Sequence, residues 1–186
     1  MGGSGMWRRG FGAVGMAAAL VAVAACSGGS GNVPMACPTP SIPSDAADLT
    51  RYRPGVVHDL TTLVFDARMT GLQGGCRPAR GGNALDMSLS ANFAVERGAA
   101  AIGRTAELPW KIAVLDGRTD EPLGRPQRFL DQVVFGPNET RAEVTSQSVT
   151  ITLPVSEQRR IQDYRILVFF QLTEEELALN RRRGPR

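Results

Sequence analysis

Ala84-Leu85-Asp86-Met87-Ser88-Leu89-Ser90-Ala91-Asn92-Phe93-Ala94-Val95-Glu96 is the stretch that decides the fold. Leu85, Met87, Leu89, Ala91, Phe93 and Val95 fall on one side of an extended chain. Asp86, Ser88, Ser90, Asn92, Ala94 and Glu96 fall on the other. Side chains of a strand change face at every residue, so this pattern buries one face and wets the other. A helix of the same length would need apolar residues three and four apart. The stretch therefore predicts a half-buried antiparallel strand.

The same period recurs on both sides of it. Leu63, Phe65, Ala67 and Met69 alternate with Val64, Asp66, Arg68 and Thr70. Leu108, Trp110, Ile112 and Val114 make another strand, punctuated afterwards by Asp116-Gly117 and by Glu121 to Gly124. Gln127 to Phe135 follows Pro126, and Gly136-Pro137-Asn138 turns the chain. Arg141 to Val155 keeps Val149, Ile151, Leu153 and Val155 in phase but Val144 out of phase, which predicts a bulge or a split into two strands. Tyr164 to Leu172 is apolar on both faces, as in a central or doubly covered strand. Gly71 to Gly82 reads as a mobile loop, and Ser44 to Arg53 as one or two helical turns stopped by Pro54-Gly55. Thr173-Glu174-Glu175-Glu176 is a capping-box pattern, and Arg181-Arg182-Arg183 suits the far end of a short helix. The sum is an all-β, antiparallel immunoglobulin- or fibronectin-like β-sandwich of six to seven strands with a short C-terminal helix. No strand alternates with a full helix, which disfavours a doubly wound α/β fold.

The chain has 186 residues and 42% hydrophobic content, enough for one domain with a core. Its 21 basic residues against 18 acidic ones give a net charge of +3, too little to argue for nucleic acid. Lys111 is the only lysine. A single histidine, His58, excludes a multi-histidine metal site.

The N-terminus has a different character. Trp7-Arg8-Arg9 is a short basic region, and Gly10 to Val23 is an apolar run of about fourteen residues. That run is short of the ~20 residues of a spanning helix and suits a signal-peptide core. It meets Val23-Ala24-Ala25-Cys26. These four residues resemble the lipobox of bacterial lipoproteins. The resemblance implies cleavage after residue 25, and a lipidated Cys26 as the first mature residue and the anchor. Ser27 stands where enteric inner-membrane retention signals place Asp, so by analogy the outer membrane is expected, with the domain facing the periplasm. Arg8-Arg9-Gly10-Phe11 partly resembles a twin-arginine export motif, although Trp7 and Gly12 depart from it and a plain basic region accounts for it. Without Arg8 and Arg9 the mature chain holds 19 basic and 18 acidic side chains, a net charge of +1.

Ser27 to Asn32 is a flexible Gly/Ser tether, and Val33 to Pro43 a stiff, proline-rich arm. If Cys26 carries lipid, Cys37 and Cys76 remain. Outside the cytoplasm a structural disulfide is the simplest reading, with a redox thiol and an intermolecular bridge as alternatives. Such a bridge closes a loop of about forty residues, worth roughly 4 kcal/mol in the chain-entropy model. The expected organisation is signal peptide 1–25, anchor, tether and arm 26–55, sandwich 56–172, and helix with basic tail 173–186.

Chemistry is sparse. His58 beside Asp59 lacks a nucleophile elbow, and adjacent strand residues point to opposite faces. Asp66, Asp86 and Glu96 supply carboxylates for a glycosidase-like pair, but they lie on polar strand faces. Asn138-Glu139-Thr140 is a glycosylation sequon that reads better as a turn, and Trp110 and Phe169-Phe170 read as core before binding groove. Arg181, Arg182, Arg183 and Arg186 form a basic tail suited to anionic lipid or another acidic surface, or simply solvated at a helix end. No catalytic residue, metal site or cofactor is expected.

Cys37, Leu49-Thr50-Arg51, Asp59-Leu60-Thr61, Cys76, and Phe170-Gln171-Leu172-Thr173 through Asn180-Arg181 resemble a group of bacterial envelope lipoproteins, a likeness that implies no activity. The expected function is a lipid-anchored, non-enzymatic binding or scaffolding module. Its partners would be the membrane, through the lipid, and an unidentified envelope protein reached through exposed strand edges. A small envelope enzyme or ligand carrier, and a purely structural spacer, are the alternatives.

Overall fold

The computed structural model describes residues 36–186. Eight antiparallel strands form two sheets packed face to face. They are β1 (Asp48–Tyr52), β2 (Leu63–Pro78), β3 (Ala84–Arg97), β4 (Thr105–Asp116), β5 (Gln127–Val134), β6 (Arg141–Thr145), β7 (Val149–Pro154) and β8 (Tyr164–Phe170). A helix, α1 (Glu174–Arg183), closes the chain. The larger sheet runs β1-β2-β3-β6, with β7 also paired to β3, and the smaller runs β5-β4-β8. The β-sandwich is as the alternation predicts, and the short C-terminal helix as the capping box predicts.

The deciding stretch is the spine of the larger sheet. Leu85, Met87, Leu89, Ala91, Phe93 and Val95 are all buried. They meet Leu108, Trp110, Ile112, Ile166, Val168 and Phe170 of the smaller sheet in one continuous core. Phe93 sets its ring edge-on to Trp110 with centroids 6.1 Å apart, and Phe170 tilts against Phe93 at 5.5 Å. Such aromatic pairs add about 0.5–1.5 kcal/mol beyond the area they bury. The Trp110 indole Nε1 donates to Asp131 Oδ2 at 2.6 Å, so burying this ring leaves no orphan donor. Trp110 and Phe170 are therefore core, while Phe169 is half-buried on the outer face.

Several expectations are corrected. The strand count is eight, because the anticipated helical segment at Ser44 to Arg53 is a 3-10 turn over Ser44–Ala46 followed by β1. Pairing with β2 overrides the local helical signal there, with Leu49 opposite Ala67 and fully buried. The sandwich thus starts before residue 56. The Gly71 to Gly82 stretch is not a loop over most of its length: β2 continues to Pro78, paired to β3 as far as Leu85. Glycine is required by close approach at Gly74, and again at Gly98 just beyond β3. A Cβ on Gly74 would lie 2.2 Å from the Ser88 carbonyl oxygen, and one on Gly98 would lie 2.0 Å from that of Leu63. Of the two readings of β8, central or doubly covered, the first is corrected: β8 lies at the edge of its sheet, with Leu167 and Phe169 half-buried on its outer face.

The long apolar run at Arg141 to Val155 does split. β6 and β7 lie end to end along β3, and the break falls at buried Ser146. Its N–H donates to the Ala91 carbonyl, and its Oγ accepts from the Ala91 N–H, so the ladder stays satisfied through the interruption.

Gly74→Ala is expected to cost about 1–3 kcal/mol. Gly75→Ala, where an added Cβ meets nothing within 4 Å, should stay within about 0.5 kcal/mol of the parent. Paired urea unfolding curves check this, and equal midpoints would contradict the close approach.

Candidate functional site

A sandwich has two long seams where the sheet edges meet. The seam beside β8 is closed by the N-terminal arm. Ser41 N–H donates to the Ile166 carbonyl at 2.9 Å, and Val168 N–H donates to the Ser41 carbonyl at 3.0 Å. The arm thus adds a parallel bridge to the outer edge of β8. Cys37 then joins Cys76 of β2 in a disulfide, Cα to Cα 5.7 Å, so the arm ties the small sheet to the large one. The expected pairing of Cys37 with Cys76 is present; Cys26 lies outside the described residues.

The basic tail is spent internally. Thr173 and Glu176 form the anticipated capping box, starting α1. Asn180, 5% exposed, donates from Nδ2 to the carbonyls of Asp45 and Asp48, which docks the helix on β1 and its entry turn. Beyond the helix, Arg186 reaches Asp48 Oδ1 at 2.9 Å and Asp66 Oδ2 at 2.7 Å. Arg68 also holds Asp48, at 3.1 Å. Arg183 donates to Thr50 Oγ1 at 3.1 Å, and Thr50 donates to Asp66. Arg181 pairs with Asp45 at 3.1 Å. Of the four arginines anticipated as a surface contact, only Arg182 has no ion pair among the described residues. Both neighbouring carboxylates raise the Arg186 guanidinium further above its ordinary range, Asp66 most strongly. The sequence could not show this arrangement, because the acids stand more than a hundred residues from the arginines that meet them.

The other candidate groups are scattered or neutralised. His58 stacks on Tyr52 at 4.3 Å with Nε2 3.7 Å from Glu175, away from any nucleophile and base in hydrogen-bonded array. Asp59 instead orders its own turn, accepting from Thr61 and Thr62, and these bonds, that of the Thr61 hydroxyl foremost, hold its carboxyl below the usual range. Asp66 and Glu96 face each other across β2 and β3, but arginines match both, Arg186 on Asp66 and Arg141 on Glu96. Asp86 lies further along β3 and accepts from the Thr152 hydroxyl.

Among the described residues the opposite seam keeps an opening beside β7. Between β4 and β5 on one side and β7 on the other lies a cleft of about 680 Å³. Ile112, Ile151, Leu153 and Tyr164 form its apolar floor. Arg118, Arg125 and Arg159 rise around it, and among the described residues no acidic side chain lines it. Asp116 sits below, 6% exposed, and holds two of the three arginines: Arg118 at 3.6 Å and Arg159 at 3.5 Å. The Arg118 backbone N–H, then its guanidinium, with Thr119 and Arg159, keeps the Asp116 carboxyl below its usual range against the opposing effect of burial. Sequence reading missed this cleft, since its lining comes from four separate segments with no common motif. The size falls in the range of ligand clefts, about 300–1,000 Å³.

Comparison of the chain with protein-family models, curated proteins and solved structures finds no match.

Arg186→Ala leaves Asp48, 6% exposed at its side chain, with Arg68 alone. Stripping a partner from a buried charge is costly, so about 2–3 kcal/mol of stability should go, against less than 0.5 kcal/mol for Arg182→Ala. Chemical denaturation of the two variants checks the difference. Equal, small effects would show that the tail does not clamp the sheet.

Proposed function

We propose that the protein is a lipid-anchored binding module of the bacterial envelope, non-enzymatic, held through Cys26 and facing the periplasm, with the outer membrane as its site. The observation that carries the binding part is the asymmetry of the seams. One seam is shut by a disulfide and a bridged arm, while the other keeps a cleft with an apolar floor and a cationic rim. A spacer needs no such difference between its two sides. Among the described residues the lining offers arginine, glutamine and hydroxyl groups but no carboxylate, imidazole or thiol, a composition suited to holding a partner rather than to pairing a nucleophile with a base. The anchor rests on the Val23-Ala24-Ala25-Cys26 lipobox. A multiply acylated cysteine would secure the domain where a single chain would not.

Metabolic palmitate labelling in a bacterial host tests the anchor: the label should vanish in Cys26→Ala, and its persistence would overturn the localisation. A photo-crosslinking residue at Gln158, on the cleft rim, should trap a discrete envelope adduct that the same residue at Arg165, on the outer face of β8, does not. Indistinguishable patterns at the two positions would remove the cleft as the binding surface.

A further inference from the structure

Three strand edges lie along the open side of the sandwich, and two of them are guarded. β5 carries Arg128 and Asp131, and β6 carries Arg141 and Glu143. Charged residues on an edge discourage another chain from pairing with it. β7, Val149-Thr150-Ile151-Thr152-Leu153-Pro154, carries no charge until proline ends it. Its inner ladder is complete: Val155 N–H donates to the Asn83 carbonyl, in the register that pairs Leu153 with Leu85. In an antiparallel pair the hydrogen-bonded positions alternate, so the N–H and C=O groups of Thr150 and Thr152 face away from β3. Thr152 lies in the cleft wall, between Ile151 and Leu153 of its floor. Among the described residues, a backbone edge open at Thr150 and Thr152 (the next outward carbonyl, of Pro154, accepts from the Tyr164 hydroxyl), an apolar floor and a rim of three arginines with no lining acid therefore occur in one place.

We propose that the cleft receives an extended acidic peptide segment of a partner protein, which adds as a strand to the free edge of β7 and places carboxylates against Arg118, Arg125 and Arg159. The proposal rests on the reading of the protein as a binding module. Backbone pairing supplies affinity in this mode, and side-chain pockets supply selectivity. Guanidinium groups meet carboxylates in two parallel hydrogen bonds, which fixes the orientation of the added strand. Asp116 holds Arg118 and Arg159 in place from below, so their side chains are positioned before the peptide arrives. The lining sets guanidinium, amide and hydroxyl groups beside Ile112, Ile151 and Leu153, which suits a peptide strand better than an acyl chain.

The test uses the full lipidated chain in detergent micelles and fluorescein-labelled pools of eight-residue peptides made from Val, Thr, Asp and Glu. A second pool has Lys in place of both acids, and a third has the acidic composition with N-methyl groups at alternate residues. Fluorescence anisotropy at physiological salt should show the acidic pool binding at least tenfold more tightly than either other pool. The double variant R118Q/R125Q, with an unfolding midpoint near that of the parent, should weaken the acidic pool at least tenfold. Should that variant unfold, Thr152→Pro removes one outward N–H and should give the same loss while the ladder to β3 persists. Equal binding of the acidic and basic pools, undiminished binding after N-methylation, or no acidic binding at all would each overturn the proposal. A Gln158 crosslink in cells accompanied by any of these results would leave the binding module standing and remove only the acidic strand.

Discussion

The seam between β8 and β2 is where this structure commits itself. Two sheets packed by apolar side chains alone have no reason to treat their two sides differently, because the hydrophobic effect is not directional. The Cys37–Cys76 disulfide and the Ser41 bridge to β8 break that equivalence. They fix which edge of each sheet is covered and leave β7 and β5 to form the mouth of the cleft. The same contacts resolve an oddity of β8. This strand is apolar on both faces yet sits at the edge of its sheet, where an unprotected row of backbone groups would invite association. The arm takes up two of those groups, the Ile166 carbonyl and the Val168 N–H, from within the chain.

A second constraint works on the outer face of the large sheet. Asp48 and Thr50 point away from the core and are nevertheless buried. Burying a carboxylate is unfavourable unless it is paired and hydrogen-bonded. Arg68, Arg186 and the Thr50–Asp66–Arg183 chain of contacts meet that need, and α1 roofs the group through Asn180. Acids on β1 and β2 therefore select where the C-terminal arginines go. A basic tail that looks free in the sequence becomes a clamp holding the helix on the sheet.

How much was legible beforehand follows from the range of each interaction. β3 was readable residue by residue, since alternation is local and its buried face follows the pleat. α1 was readable from Thr173 and Glu176, whose reciprocal cap spans only three residues. β1 is not legible locally, because its strand character comes from pairing with residues eleven to twenty positions away, which overrides the helical signal of Ser44 to Arg53. The glycines of β2 were misread because Gly74 signals a close approach to the Ser88 carbonyl, not a turn, and the two look alike in sequence. The disulfide was inferred by elimination, whereas its consequence depended on Ser41 meeting β8 across more than a hundred residues. The cleft, assembled from β4, β5, β7, the start of β8 and two connections, has no local signature.

Hydrogen exchange followed by NMR tests the closed and open seams most directly. In the oxidised protein the Ser41 and Val168 amides should exchange slowly, because each bonds across the arm, while the Thr152 amide should exchange as a solvent-facing edge group. On reduction of Cys37–Cys76, Ser41 and Val168 should lose their protection while the amides pairing β4 with β5 keep theirs. A Val168 amide as exposed as that of Thr152 in the oxidised protein, or a protected Thr152, would contradict one sealed and one open side.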